Sequence, residues 1–188
     1  MIVITDRDNK IKEFLNEVQI ADTKTIHILF FPNTSLRNAQ KRLKQLVDIR
    51  FIKCYRENML EQNVYYAKNR PKNIKHKIIF SRLLAELKQQ NIEVIKYMTP
   101  YKIGEVIADG LIIIKVNEEV KIYFMEGEIS KKLNTKKYED LYYSRKYKEK
   151  FPVMPSILLI SNKGFTQSAV LDIKVCKLDF SNLKGDLL

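Results

Sequence analysis

The stretch after Pro32 constrains this chain most. Pro32-Asn33-Thr34-Ser35 is a turn, with Thr34 or Ser35 placed to cap a helix running from Leu36 to about Ile49. Leu36, Ala39, Leu43, Leu46 and Val47 return at helical spacing on one side. Arg37, Asn38, Lys41, Arg42, Lys44 and Gln45 fill the other. Such a helix is stable only with its apolar side against neighbours and its cationic and amide side outward.

The neighbours can be read on either side. Ile11, Phe14, Leu15 and Val18 make one stripe of a helix over about 8–18, with Asp6 or Asp8 able to cap it. Asp22 is a plausible cap for a short helix from Thr23 to Phe31, with Ile26, Leu29 and Phe30 on one side. Downstream, Phe51 to Arg56 reads as a strand, Glu57 to Asn63 as a turn and Val64 to Ala67 as a returning strand. Helix, helix, turn, helix and hairpin is the order of a winged helix-turn-helix domain, here residues 1–70. A helix fits the major groove of B-DNA, and Arg, Asn and Lys near its start reach base edges. Ser35, Arg37, Asn38, Lys41, Arg42, Lys44 and Gln45 are the candidates on that helix. Lys24 precedes it; Lys53, Arg56 and Lys68 would lie along the phosphate backbone from the wing. The alternative is a small three-helix module that binds protein.

Charge supports a polyanion partner. Of a net charge of +12, the segment Lys24–Lys77 supplies +10, from 13 Lys/Arg against Asp48, Glu57 and Glu61. A solvated lysine-rich face is the bland reading of the same numbers. Cys54 and Cys176 are too few for a disulfide framework, and zinc-type spacing is absent. His27 and His76 have no Cys or Asp at ligand spacing, and the five glycines form no phosphate loop. No apolar run has the ~20 residues of a membrane span, and the charged start does not read as a secretion signal. The expectation is a cytoplasmic protein.

Arg70-Pro71-Lys72-Asn73 reads as an extended link. Residues 71–188 then give a helix (Ile74–Gln89) and strands at Ile92–Tyr97, Lys102–Ile107, Gly110–Val116 and Val120–Met125. A long helix over about Lys131–Lys150 comes next, then a nearly all-apolar strand, Ser156–Ile160 and Ser161. The tail adds a helix at Thr166–Asp172 and a strand at Val175–Leu178. Tyr138, Tyr142, Tyr143 and Tyr147 on the long helix suit core packing or a homodimer seam. The fold class is therefore α+β or α/β.

Asp109 precedes Gly110 at a hairpin, and Glu126 and Glu128 lie two apart at the end of a strand, so they share one side. Carboxylates gathered in this way suit Mg²⁺ or Mn²⁺. Asp, hairpin, then Glu-x-Lys is the pattern of metal-dependent nucleases of the PD-(D/E)xK type, in which Mg²⁺ activates water. This chain has Ala108 in place of the Pro and Glu128 in place of the Lys; Lys136 or Lys137 of the next helix is the candidate substitute. The structural alternative makes Asp109 a turn residue and both glutamates surface acids.

The chain resembles the replication-relaxation family of bacterial plasmids and mobile elements almost end to end. The residues that carry the likeness begin with Ile4-Thr5-Asp6-Arg7-Asp8, Leu29-Phe30-Phe31, Ser35 with Ala39 through Leu46, and Phe51-Ile52. They continue with Ala108-Asp109-Gly110-Leu111-Ile112, Phe124-Met125-Glu126-Gly127-Glu128 and Lys137-Tyr138. The resemblance implies a winged helix joined to a small PD-(D/E)xK-like αβββαβ domain, without implying cleavage. It also implies a role in plasmid replication, transfer or transcription regulation. Three functions remain on the sequence: a sequence-specific double-stranded DNA-binding protein needing no cofactor, a Mg²⁺-dependent nuclease or nickase, and a protein-binding adaptor for replication or transfer proteins.

Overall fold

The computed structural model describes residues 2–58, 61–129 and 132–187. The chain divides into two compact units, residues 1–89 and 90–188. It is a mixed α+β protein, and no described helix is long and apolar enough to cross a membrane.

The first unit begins with α1 (Asp6–Val18). Its N-cap is Thr5, not Asp6 or Asp8: the Thr5 hydroxyl accepts from the Asp8 N–H, and Asp8 accepts from the Thr5 N–H at 2.8 Å. This reciprocal box satisfies two donors that a helix start leaves open. Strand β1 (Ala21–Asp22) runs into α2 (Thr23–Phe30), capped by Asp22, whose carboxylate accepts from the Thr25 N–H at 2.8 Å. α3 (Leu36–Asp48) is capped by Ser35. β2 (Lys53–Tyr55) and β3 (Val64–Tyr66) pair antiparallel, and β1 joins on the far side of β3, giving the order β1-β3-β2. Two residues of β1 are too short to carry a periodic signal, so the sequence reading had no third strand. Ile11, Leu15, Ile26, Leu43 and Leu46 are fully or almost fully buried and form the interior of the helices. Each contributes roughly 1.5–3 kcal/mol by leaving water.

Helix α4 (Ile74–Gln89) belongs to this unit, so the division falls after Gln89 and not after Arg70. Ile78 packs with Ile20 and Val64. Arg82 pairs with Asp22 at 2.7 Å, and the Lys88 ammonium donates to the Leu29 carbonyl at 2.8 Å. Pro71 does interrupt the chain, but α4 folds back beyond it onto α2.

The second unit holds β4 (Glu93–Met98), β5 (Tyr101–Ile103), β6 (Val106–Ala108), β7 (Gly110–Val116) and β8 (Glu119–Glu128). Then come α5 (Lys136–Tyr143), a 3₁₀ turn (Lys146–Glu149), β9 (Ser156–Ser161), β10 (Ile173–Cys176) and α6 (Leu183–Leu187). Among the described residues one sheet has the order β10-β9-β8-β7-β4. β4, β7 and β8 are antiparallel neighbours, whereas β8, β9 and β10 run parallel, with α5 on the crossover from β8 to β9. β9 is buried from Ile157 to Ser161, as a central strand covered on both faces must be.

Four expectations for this half change. The single strand at Lys102–Ile107 is a hairpin, β5 and β6, because Gly104 turns the chain with φ +53°. The long helix is short: α5 stops at Tyr143, Arg145 adopts φ +54°, and a 3₁₀ turn comes after it. Lys131, where that helix was expected to begin, lies outside the described residues. No helix forms over Thr166–Asp172: Leu171 is buried, and the Asp172 carbonyl accepts from the Ile157 N–H at 2.8 Å, which holds the segment against β9. The last strand is Ile173–Cys176, because register with β9 and not local composition fixes its ends.

Candidate nucleic-acid interface

α3 presents what its pattern promised on one side. Ala39, Leu43 and Leu46 are fully buried, and Arg37, Asn38, Gln40, Lys41 and Lys44 are exposed. Ser35 spends its hydroxyl on the Asn38 N–H at 3.3 Å, so its role is to start the helix. Lys44 faces Asp48 one turn on, 3.3 Å away and in water, where such a pair is weak.

Arg42 departs from the DNA-facing role expected of it. Its Nη2 donates to Asp8 Oδ2 at 2.5 Å and to the Val3 carbonyl at 2.7 Å, and its Nε donates to Asp8 Oδ1 at 3.1 Å. Its remaining nitrogen donates to Gln45 Oε1 at 3.2 Å, so Gln45 is engaged too. Burial pushes the Asp8 carboxyl up, but hydrogen bonds from Arg42 and Thr5, and the guanidinium charge, outweigh it and hold the group below its ordinary range. Arg42 therefore ties α3 to α1, and Gln45 braces the guanidinium from within α3. The wheel position of Arg42, at the border of the apolar face, permitted either role, and a partner 34 residues upstream decided it.

Around α3, Lys24 and Arg56 are exposed and line a cleft of about 290 Å³ with Thr23, Leu36, Gln40 and Asn63. The cleft is held by the Asn63 carbonyl, which accepts from the Thr23 N–H at 3.3 Å and so ties the turn of the β2–β3 hairpin to the start of α2. Gln40 was not singled out from the sequence; its signal was its position one turn beyond Arg37. Lys53 crosses the hairpin to donate to the Lys68 carbonyl at 2.7 Å, and both side chains are exposed. Arg70 stacks 3.8 Å above the Tyr55 ring.

In the second unit, Asp109 and Glu126 come together and Glu128 does not complete a ligand set. Among the described residues no three His, Cys, Asp or Glu side chains gather as metal ligands; Glu126 is buried, whereas Glu128, at the strand's end, is half-exposed. The Asp109 carboxylate accepts from the Gly127 N–H at 2.9 Å. Glu126 Oε1 accepts from the Lys137 ammonium at 2.6 Å and from the Tyr138 hydroxyl at 2.5 Å. Lys137 also donates to the Ile107 carbonyl at 3.1 Å. Of the two lysines offered as substitutes, Lys137 makes the contact; Lys136 is exposed. Burial raises the Glu126 pKa and Asp109 adds to it, while Lys137 and Tyr138 oppose it. Burial beside Glu126 likewise pushes the Tyr138 phenol up. Asp109 and Glu126 are held by the protein's own donors and, among the described residues, no third carboxylate gathers with them, so the set does not make a three-carboxylate Mg²⁺ site.

No family model, curated protein or solved structure matches this chain.

Proposed function

We propose that this chain is a sequence-specific double-stranded DNA-binding protein, with α3 as the reading helix and the β2–β3 hairpin as a wing. One observation carries the reading: Arg37, Asn38, Gln40 and Lys41 stand exposed on a helix whose opposite face is sealed into the first unit. Arg, Asn and Gln are the side chains that pair bidentately with guanine and adenine edges, and Lys meets guanine or phosphate. Lys24, Lys53, Arg56 and Lys68 supply phosphate contacts around it. The order helix, strand, helix, helix, hairpin supports a winged helix. The sheet order of the second unit supports a PD-(D/E)xK-like scaffold. With its acids engaged by Gly127, Lys137 and Tyr138, that scaffold serves dimerisation or contact with replication or transfer proteins. The resemblance to the replication-relaxation family favours a cytoplasmic role on a plasmid or mobile element, in replication, transfer or transcription control.

Selection from random duplex DNA, with titration of the enriched site at about 0.1 M salt, tests this. The expected result is a defined motif and a ten-fold or greater loss of affinity (roughly 1.4 kcal/mol) for Arg37→Ala/Lys41→Ala. Unchanged affinity in that variant would end the reading.

A further inference from the structure

The second unit carries a basic surface of its own, which the chain-wide charge count hides. Residues 143–150 hold Arg145, Lys146, Lys148 and Lys150 against one acid, Glu149. The fold makes this run a built surface. Buried Tyr147 anchors the 3₁₀ turn, and Arg145, Lys146 and Lys148 are exposed around it. The stem of Lys146 lies along the tip of the β5–β6 hairpin: a Cβ on Gly104 would sit 3.4 Å from its Cδ. Lys102 of β5 stands directly opposite Ile107 of β6, both exposed, and the Ile107 carbonyl holds Lys137. The hairpin, whose tip also carries the exposed Glu105, thus meets the turn at Lys146 and holds Lys137 through the Ile107 carbonyl.

Beside these cations an aromatic ring is left in water. Tyr143 ends α5 at 69% exposure. Its ring meets Tyr142 edge-on at 5.5 Å, and Tyr142 in turn stacks on Tyr147 at 6.2 Å. Tyr143 is therefore oriented by its neighbours, while most of its surface remains open to a partner.

We infer that this face binds a single strand of nucleic acid, with phosphates on Lys102, Lys146 and Lys148 and a base stacked on Tyr143. Cations that track a backbone beside a ring that takes a base face are the two elements of sequence-tolerant single-strand binding. A duplex offers the same phosphates but hides its base faces in its own stack, so it leaves Tyr143 unused. Every residue of this face belongs to the second unit, and none of them needs α3 to read a site.

The test is titration of the full chain into a fluorescently labelled oligo-dT of about 20 nucleotides, with anisotropy as the readout. Lys146→Glu/Lys148→Glu is expected to lose ten-fold or more, and Tyr143→Ala about five-fold or more, in affinity. Tyr143→Phe keeps the ring face and is expected to bind within about two-fold of the parent. Arg37→Ala/Lys41→Ala is expected to bind oligo-dT as the parent does, which separates this face from the duplex-reading one. All these positions are exposed, so each variant is expected to keep the parent's near-UV circular dichroism. Parental oligo-dT affinity in Lys146→Glu/Lys148→Glu or in Tyr143→Ala overturns the inference. So does a loss confined to Arg37→Ala/Lys41→Ala, which would put the single strand on the first unit.

Discussion

Arg42 of α3 closes on Asp8 of α1 through two nitrogens, at 2.5 and 3.1 Å, across 34 residues of sequence. Asp8 is fully buried and also completes the cap of its own helix through Thr5. One carboxylate thus starts α1 and fixes α3 to it.

Arg42→Ala would leave that carboxylate buried without its cation. A buried ion pair broken on one side costs far more than an exposed one, and about 3 kcal/mol of unfolding free energy is expected to be lost. Urea denaturation checks this. The pH dependence has a definite sign: with the folded Asp8 pKa below its ordinary value, the stabilisation is complete above about pH 5 and disappears as pH falls through the folded pKa. Arg42→Ala should therefore resemble the parent more closely in acid than at neutrality. A variant as stable as the parent at about pH 7 would show the pair to be idle.

Base reading and phosphate contact separate by their response to sequence and salt. Arg37→Ala or Asn38→Ala is expected to flatten preference at one or two base pairs, by ~1–3 kcal/mol each. Lys41→Ala or Lys53→Ala is expected to weaken all duplexes alike and to lower the salt slope by about one. Equal loss on every sequence for all four variants would remove α3 as the reading element.

Glu126→Gln addresses the buried acid. Gln keeps an oxygen to accept from Lys137 and Tyr138, and Lys137 is open enough to be hydrated if the charge pair is lost. The raised pKa means that the folded state keeps a proton the unfolded chain has shed. Stability from this group is therefore complete below the usual carboxylate pKa of about 4.3 and is lost as pH rises through the folded value. Relative to the parent, Glu126→Gln should gain stability as pH rises from about 4.3 through the folded value, as thermal midpoints measured across that rise would report. A constant difference would mean that the proton is not involved.

Cleavage is a separate question. With Asp109 held by the Gly127 amide and Glu126 by Lys137 and Tyr138, supercoiled plasmid is expected to stay intact with Mg²⁺ or Mn²⁺. Nicking by the parent and not by Asp109→Ala would restore the nuclease reading.

Several elements were legible because their causes are local. A cap, a stripe and a stop lie within a few residues of one another, so Asp22 and Ser35 started the helices expected of them and α4 came out as Ile74–Gln89. Thr5 was missed although Thr5-x-x-Asp8 is itself a capping-box signal. The hairpin in Lys102–Ile107 was also missed, because one glycine inside an apolar run reads as a bulge as readily as a turn.

The sequence by itself determined which side of α3 would be greasy and which charged, because a helix repeats every 3.6 residues whatever surrounds it. Tertiary structure alone decided which of those charges stay free. Asp8 takes Arg42, Asp22 takes Arg82 and draws α4 into the first unit, and Glu126 takes Lys137 from α5. A buried carboxylate must find a cation or a proton, and which cation lies within about 3 Å is set by how distant segments pack.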